Sequence, residues 1–109
     1  MKSTDKRFVG TWKGTDEGRL NEFEVNHWIM SRSLDGKFFV EFTTIYLDGT
    51  FEKTTEKGIW YIENGLYYEL LDSEKIPVCY IFRIISNDSI HYQDYLSSYY
   101  FTDYKVPLN

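Results

Sequence analysis

The chain has 109 residues, 42% hydrophobic and 27% charged, which excludes a disordered polypeptide and describes one domain able to bury its own core. Seventeen carboxylates oppose twelve Lys and Arg side chains, for a net charge of -5. That balance repels nucleic acid and suits a basic protein partner. Ten Tyr, eight Phe and three Trp favour the half-buried, pleated surfaces of an all-β protein.

Residues 1–7 carry no apolar stretch, so they read as a flexible N-terminal segment and not as a signal peptide. No run reaches membrane-spanning length, so no membrane role is expected. The single cysteine, Cys79, rules out an intramolecular disulfide, and a reducing cytoplasm is the expected location.

Strand one is predicted from about Phe8 to Gly14, followed by a polar turn to Gly18. Strand two runs from Leu20 to Ser31, with Phe23, Val25, His27 and Ile29 on one face. Asp35-Gly36 turns the chain into strand three, Lys37 to Leu47. Asp48-Gly49 leads to strand four, Phe51 to Lys57, and Gly58 marks a bulge or bend before strand five, Ile59 to Ile62. Asn64-Gly65 makes a tight hairpin into strand six, Leu66 to Leu71. Strand seven is Val78 to Ser86, strand eight Ile90 to Leu96, and a last strand spans Tyr99 to Lys105. No connection is long enough for a parallel crossover. The expected fold is an all-β, antiparallel, up-and-down barrel or half-barrel of about eight to nine strands, in one domain.

Phe8-Val9-Gly10-Thr11-Trp12-Lys13 resembles the first strand of the calycin group, the lipocalins and cytosolic fatty-acid-binding proteins. Gly58-Ile59-Trp60 followed by Asn64-Gly65 resembles the mid-chain hairpin of small lipocalin-like domains. The resemblance implies that Trp12 packs across the closed end of the barrel, that Gly10 lets the strand bend there, and that an arginine, Arg83, covers Trp12. It also implies a cavity for a small hydrophobic ligand. Three features depart from the pattern. The gap between Trp12 and Leu20 is too short for a helical lid, no Arg-x-Tyr pair follows Arg83, and the chain is short enough for its own Phe and Tyr to fill the interior. Tight binding of long-chain fatty acids is therefore not expected.

No catalytic constellation is visible. Cys79 sits in an apolar run, as structural thiols do. His27 and His91 are isolated, and no metal-ligand spacing or glycine-rich phosphate loop occurs, so neither metal nor cofactor is expected. Arg83, inside an apolar strand, either faces out or needs an inward acceptor. The acidic residues Asp16, Glu17, Glu22 and Glu24 form one candidate protein-binding set. The C-terminal group of Asp88, Tyr92, Asp94, Tyr95, Tyr99, Asp103 and Tyr104 forms another, with tyrosines as rigid contact area and carboxylates as acceptors for a partner's Lys and Arg. The expected function is that of a non-enzymatic, immunity-type inhibitor of a basic protein such as a toxin nuclease. The alternative is a lipocalin-like carrier.

Overall fold

The computed structural model describes residues 2–16 and 24–107. Eight antiparallel strands, each paired with its neighbour in sequence, close into an up-and-down barrel. They are β1 (Gly10–Thr15), β2 (Glu24–Arg32), β3 (Lys37–Tyr46), β4 (Phe51–Glu63), β5 (Leu66–Leu71), β6 (Val78–Ser86), β7 (Ser89–Asp94) and β8 (Tyr100–Lys105). The ring closes where β1 meets β8, at Trp12↔Lys105 and Lys13↔Tyr104. The architecture is consistent with a calycin-like barrel. It is closed, so the half-barrel alternative falls away.

The turns form where the sequence places them. Asn64 and Gly65 both take positive φ, 53° and 76°, which the tight β4–β5 hairpin requires. The Asp35 and Asp48 carboxylates each accept the backbone N–H two residues on, at 3.1 and 2.9 Å.

The predicted strands four and five are one 13-residue strand, β4. Gly58 is not a bulge: the β3 ladder runs through it unbroken. It marks a close approach instead. A Cβ at Gly58 would stand 2.0 Å from the Leu70 carbonyl oxygen and 2.9 Å from Leu71 Cα, both backbone atoms that cannot swing aside. Gly58→Ala is therefore expected to destabilise the barrel by about 1–3 kcal/mol, read as a lowered urea midpoint.

Up-and-down topology sends alternate turns to opposite ends. The turns 33–36, 64–65 and 87–88 lie at one end, and the loops 47–50, 72–77 and 95–99 at the other. The first end is sealed. Phe8 ends a short 3-10 helix, Lys6–Phe8, and is fully buried beside Trp12 and Trp60. Trp12 donates its indole N–H to the Phe8 carbonyl at 2.9 Å, and Trp60 donates to Ser33 at 3.1 Å. The segment before Phe8 makes specific contacts with the barrel. Ser3 exchanges two backbone hydrogen bonds with Ile62, and Asp5 caps the 3-10 helix.

The cation over Trp12 is Lys105, its Nζ 5.7 Å from the ring, and not Arg83. Gly10 has φ +128°, and a Cβ there would press on Lys105 Cε at 3.0 Å, so glycine leaves room for that lysine. Arg83 is exposed on the outer wall, opposite His91 in the β6–β7 ladder.

Candidate functional site

In β2 the inward residues are Trp28, Met30 and Arg32, while His27 and Ile29 point out. His27 and Ile29 share a face, as the alternation predicts, and it is the outer one; Phe23 lies outside the described residues. The opposite face brings a charged residue into the core. The Arg32 side chain is 1% exposed, and Arg32 Nη2 stands 3.6 Å from Asp103 Oδ2 and 3.8 Å from Glu69 Oε1. Arg32 Nε donates to the Tyr67 hydroxyl at 2.7 Å, and Tyr67 passes a hydrogen bond to Glu69 at 2.8 Å. The guanidinium carbon lies 5.0 Å from the centre of the Tyr67 ring and 5.7 Å from that of Tyr92. Trp28 donates its indole N–H to Asp103 Oδ1 at 2.7 Å.

Two carboxylates, Asp103 buried and Glu69 half-buried, therefore share one guanidinium. Burial pushes Asp103 up to about 6, against the pull of Arg32 and the Trp28 hydrogen bond. Burial also raises Glu69, and the pKa of the Tyr92 hydroxyl rises for the same reason.

Beside this cluster lie two adjoining spaces that share Met30, Val40, Phe42, Glu69 and Tyr80. The smaller one, about 90 Å³, is faced by Trp28, Tyr99, Phe101 and Asp103 as well. The larger one, about 180 Å³, reaches Glu56, Leu71, Glu74 and Ile76. It lies where β4 has parted from β5, because their ladder begins only at Gly58↔Leu71. Among the described residues lining either space there is no Lys, Arg or His.

The open end has an unusual rim. Each of its three described loops presents a large apolar side chain to solvent: Leu47 is 80% exposed, Ile76 81% and Leu96 90%. Carboxylates stand among them, Asp48 in the first loop and Asp72 and Glu74 in the second, with Asp94 at the end of β7. Lys75 is the one basic residue in those three loops.

The residues singled out from sequence are not one surface. Asp16 is fully buried, and its carboxylate accepts the Asn26 backbone N–H at 3.0 Å and the Asn26 side-chain amide at 2.8 Å. Tyr92 and Asp103, expected at an interface, are buried core residues, because both point inward on β7 and β8. Asp88 lies in the turn at the sealed end, and Tyr104 lies outward on β8. Glu24, Asp94, Tyr95 and Tyr99 do gather at the open end. Tyr99 leans on Phe101 at 5.8 Å between ring centres. Glu17 and Glu22 lie outside the described residues. Cys79 is half-buried on the outer side of β6, in register with Tyr68.

Sequence reasoning missed Arg32 and Glu69, together with the apolar rim. A closed antiparallel eight-stranded barrel with a polar, aromatic interior is the class that fold and site define. The sequence matches no protein-family model and no curated protein. Among the described residues no helix is long and apolar enough to cross a membrane, and no group of His, Cys, Asp and Glu is arranged to hold a metal ion.

Proposed function

We propose that this chain is a non-enzymatic binding protein whose open barrel end captures a basic protein, in the manner of an immunity-type inhibitor of a toxin nuclease. The observation that carries this reading is the rim. Leu47, Ile76 and Leu96 stand almost fully exposed among Asp48, Asp72, Glu74 and Asp94. Apolar tips held out in water gain from being covered, and surrounding carboxylates select a partner rich in Lys and Arg. A nuclease presents such a surface, because it must hold phosphates. The contact surface expected from sequence narrows to the part of it at this end, Glu24, Asp94, Tyr95 and Tyr99. A cytoplasmic location belongs to the same proposal.

The test is capture of a partner by wild-type protein, followed by kinetics on the purified pair. Association is expected to slow as salt rises. Leu96→Ser is expected to weaken binding about tenfold, on the scale of one lost interface anchor, with little change in stability. Glu74→Lys should slow association, whereas Asp88→Lys at the sealed end should not. A partner sensitive to Asp88→Lys and indifferent to Leu96→Ser and Glu74→Lys would overturn the reading.

The alternative, carriage of a small hydrophobic ligand, is favoured by the two interior spaces. At about 90 and 180 Å³ they fall below the roughly 300–1,000 Å³ of ordinary ligand pockets, which argues against long-chain fatty acids.

A further inference from the structure

We propose that the barrel interior binds a linear alkylammonium ion, with its best fit to a short diamine. The monoamine part of this inference rests on the interior alone; the diamine part also uses Glu74, which the rim shares.

The smaller space is walled by five aromatic residues, Trp28, Phe42, Tyr80, Tyr99 and Phe101, around Glu69 and Asp103. Aromatic faces carry negative charge density and attract cations, most strongly where water is excluded. The carboxylates add full charge, and one guanidinium does not neutralise both. Glu69, only 17% exposed, is poorly hydrated and gains from a second cation. An ammonium group supplies that cation and brings N–H donors for Glu69. An anionic ligand would meet repulsion, and a neutral one would leave the charge unmatched.

The volume sets the size. About 90 Å³ takes an ammonium head and a few methylenes. The adjoining space continues the path along Met30, Val40 and Leu71, which suits an aliphatic chain. Glu56 and Glu74 line that space too. A diamine would place its first ammonium beside Glu69, on the side away from Arg32, its methylenes against the apolar wall, and its second ammonium at Glu56 and Glu74. A lysine side chain offers the same head and chain, so free amine and protein lysine are two sources of one chemistry.

The test follows the indole N–H resonance of Trp28 in a ¹⁵N-labelled sample. That N–H bonds Asp103, while the Trp12 and Trp60 indoles bond backbone carbonyls at the sealed end and serve as internal references. The probes are 1,4-diaminobutane, n-butylammonium and the uncharged n-pentanol, at constant ionic strength. Both amines are expected to shift Trp28 saturably, and the alcohol is not. The diamine should bind about tenfold more tightly than the monoamine, the worth of one further charged hydrogen bond. Glu74→Gln should remove that advantage and leave the monoamine unaffected. Glu69→Gln should weaken both, with the Trp12 and Trp60 resonances unchanged as proof of folding. Displacement of the diamine by an oligolysine peptide would identify protein lysine as the source, and failure to displace would identify a free amine. A Trp28 shift as large with n-pentanol as with n-butylammonium, or no shift at millimolar amine in folded protein, would overturn the proposal.

Discussion

Arg32→Met is expected to destabilise the barrel by about 3–5 kcal/mol at pH 8, the usual cost of stranding a buried charge. The methionine fills much of the same volume, so the loss is electrostatic in origin and not a cavity. Without the guanidinium, Asp103 and Glu69 face each other with no counter-charge. Protonating them relieves this, so the loss should shrink markedly near pH 5. The wild type should show the same chemistry in milder form. Asp103 has a folded-state value of about 6 against an ordinary 3.8, so between those values the folded protein holds more protons than the unfolded one. Its contribution to stability therefore falls as pH rises from about 4 to about 6 and is level above. Glu69, raised above 4.5 by burial, acts in the same direction. Asp103→Asn keeps an oxygen for the Trp28 indole and should flatten that part of the profile. Urea unfolding at several pH values, with each variant, measures all of this. An Arg32→Met loss that does not change with pH would show that packing, not charge, is what Arg32 supplies.

Trp12→Ala is expected to cost about 3–5 kcal/mol, in the range of other large buried aromatics. Trp12 is fully buried at the sealed end, its indole N–H is satisfied by Phe8, and Lys105 lies across its face. Truncation would remove the floor on which Phe8 and the β1–β8 seam rest. The adjoining rings of Phe8, Trp60, Tyr67 and Phe82 are locked edge-to-face or stacked, so they cannot collapse into the gap without losing those contacts. The urea midpoint should fall accordingly, with the far-ultraviolet spectrum of the surviving folded fraction still that of a β protein. A variant as stable as wild type would remove Trp12 from its place as the keystone of that end.

The hairpins were legible because their chemistry is local. Asn64-Gly65 and the two Asp-Gly turns state their backbone requirements in two residues. Strand number came out within range for the same reason, and Trp12 is buried at the sealed end, as the calycin resemblance implies. The facing of β2 was not legible. Alternation gives two sets, Val25-His27-Ile29 and Trp28-Met30-Arg32, and period two does not say which is inside. The core takes the set that carries a charge, Trp28-Met30-Arg32. One signal was present: Gly14 lies opposite Trp28, and an added Cβ would stand 2.5 Å from its indole, so the bulky ring fits only on the side where glycine leaves space. Arg83 drew attention because its strand is apolar, but that strand carries isoleucines on both faces, and Ile81 and Ile85 are themselves exposed. The pairing of Arg32 with Glu69 and Asp103 joins β2, β5 and β8, and no short-range pattern connects strands so far apart. Asp103 and Tyr92 were misplaced for the related reason that aromatic and acidic residues alternate on β7 and β8 with no outward bias.

The seam between β1 and β8 bears on how the chain is made. Every other neighbouring pair of strands is contiguous in sequence, but Trp12↔Lys105 and Lys13↔Tyr104 join the first strand to the last. On the ribosome β1 emerges early and β8 late, so the edge of β1 waits unpaired while the rest of the sheet is synthesised. The thermodynamic cost of closing so long a loop grows only with the logarithm of its length, but the wait in time is real. During that wait the outward face of β1 is protected by Lys13, a charged residue of the kind that discourages edge-to-edge pairing with other nascent chains.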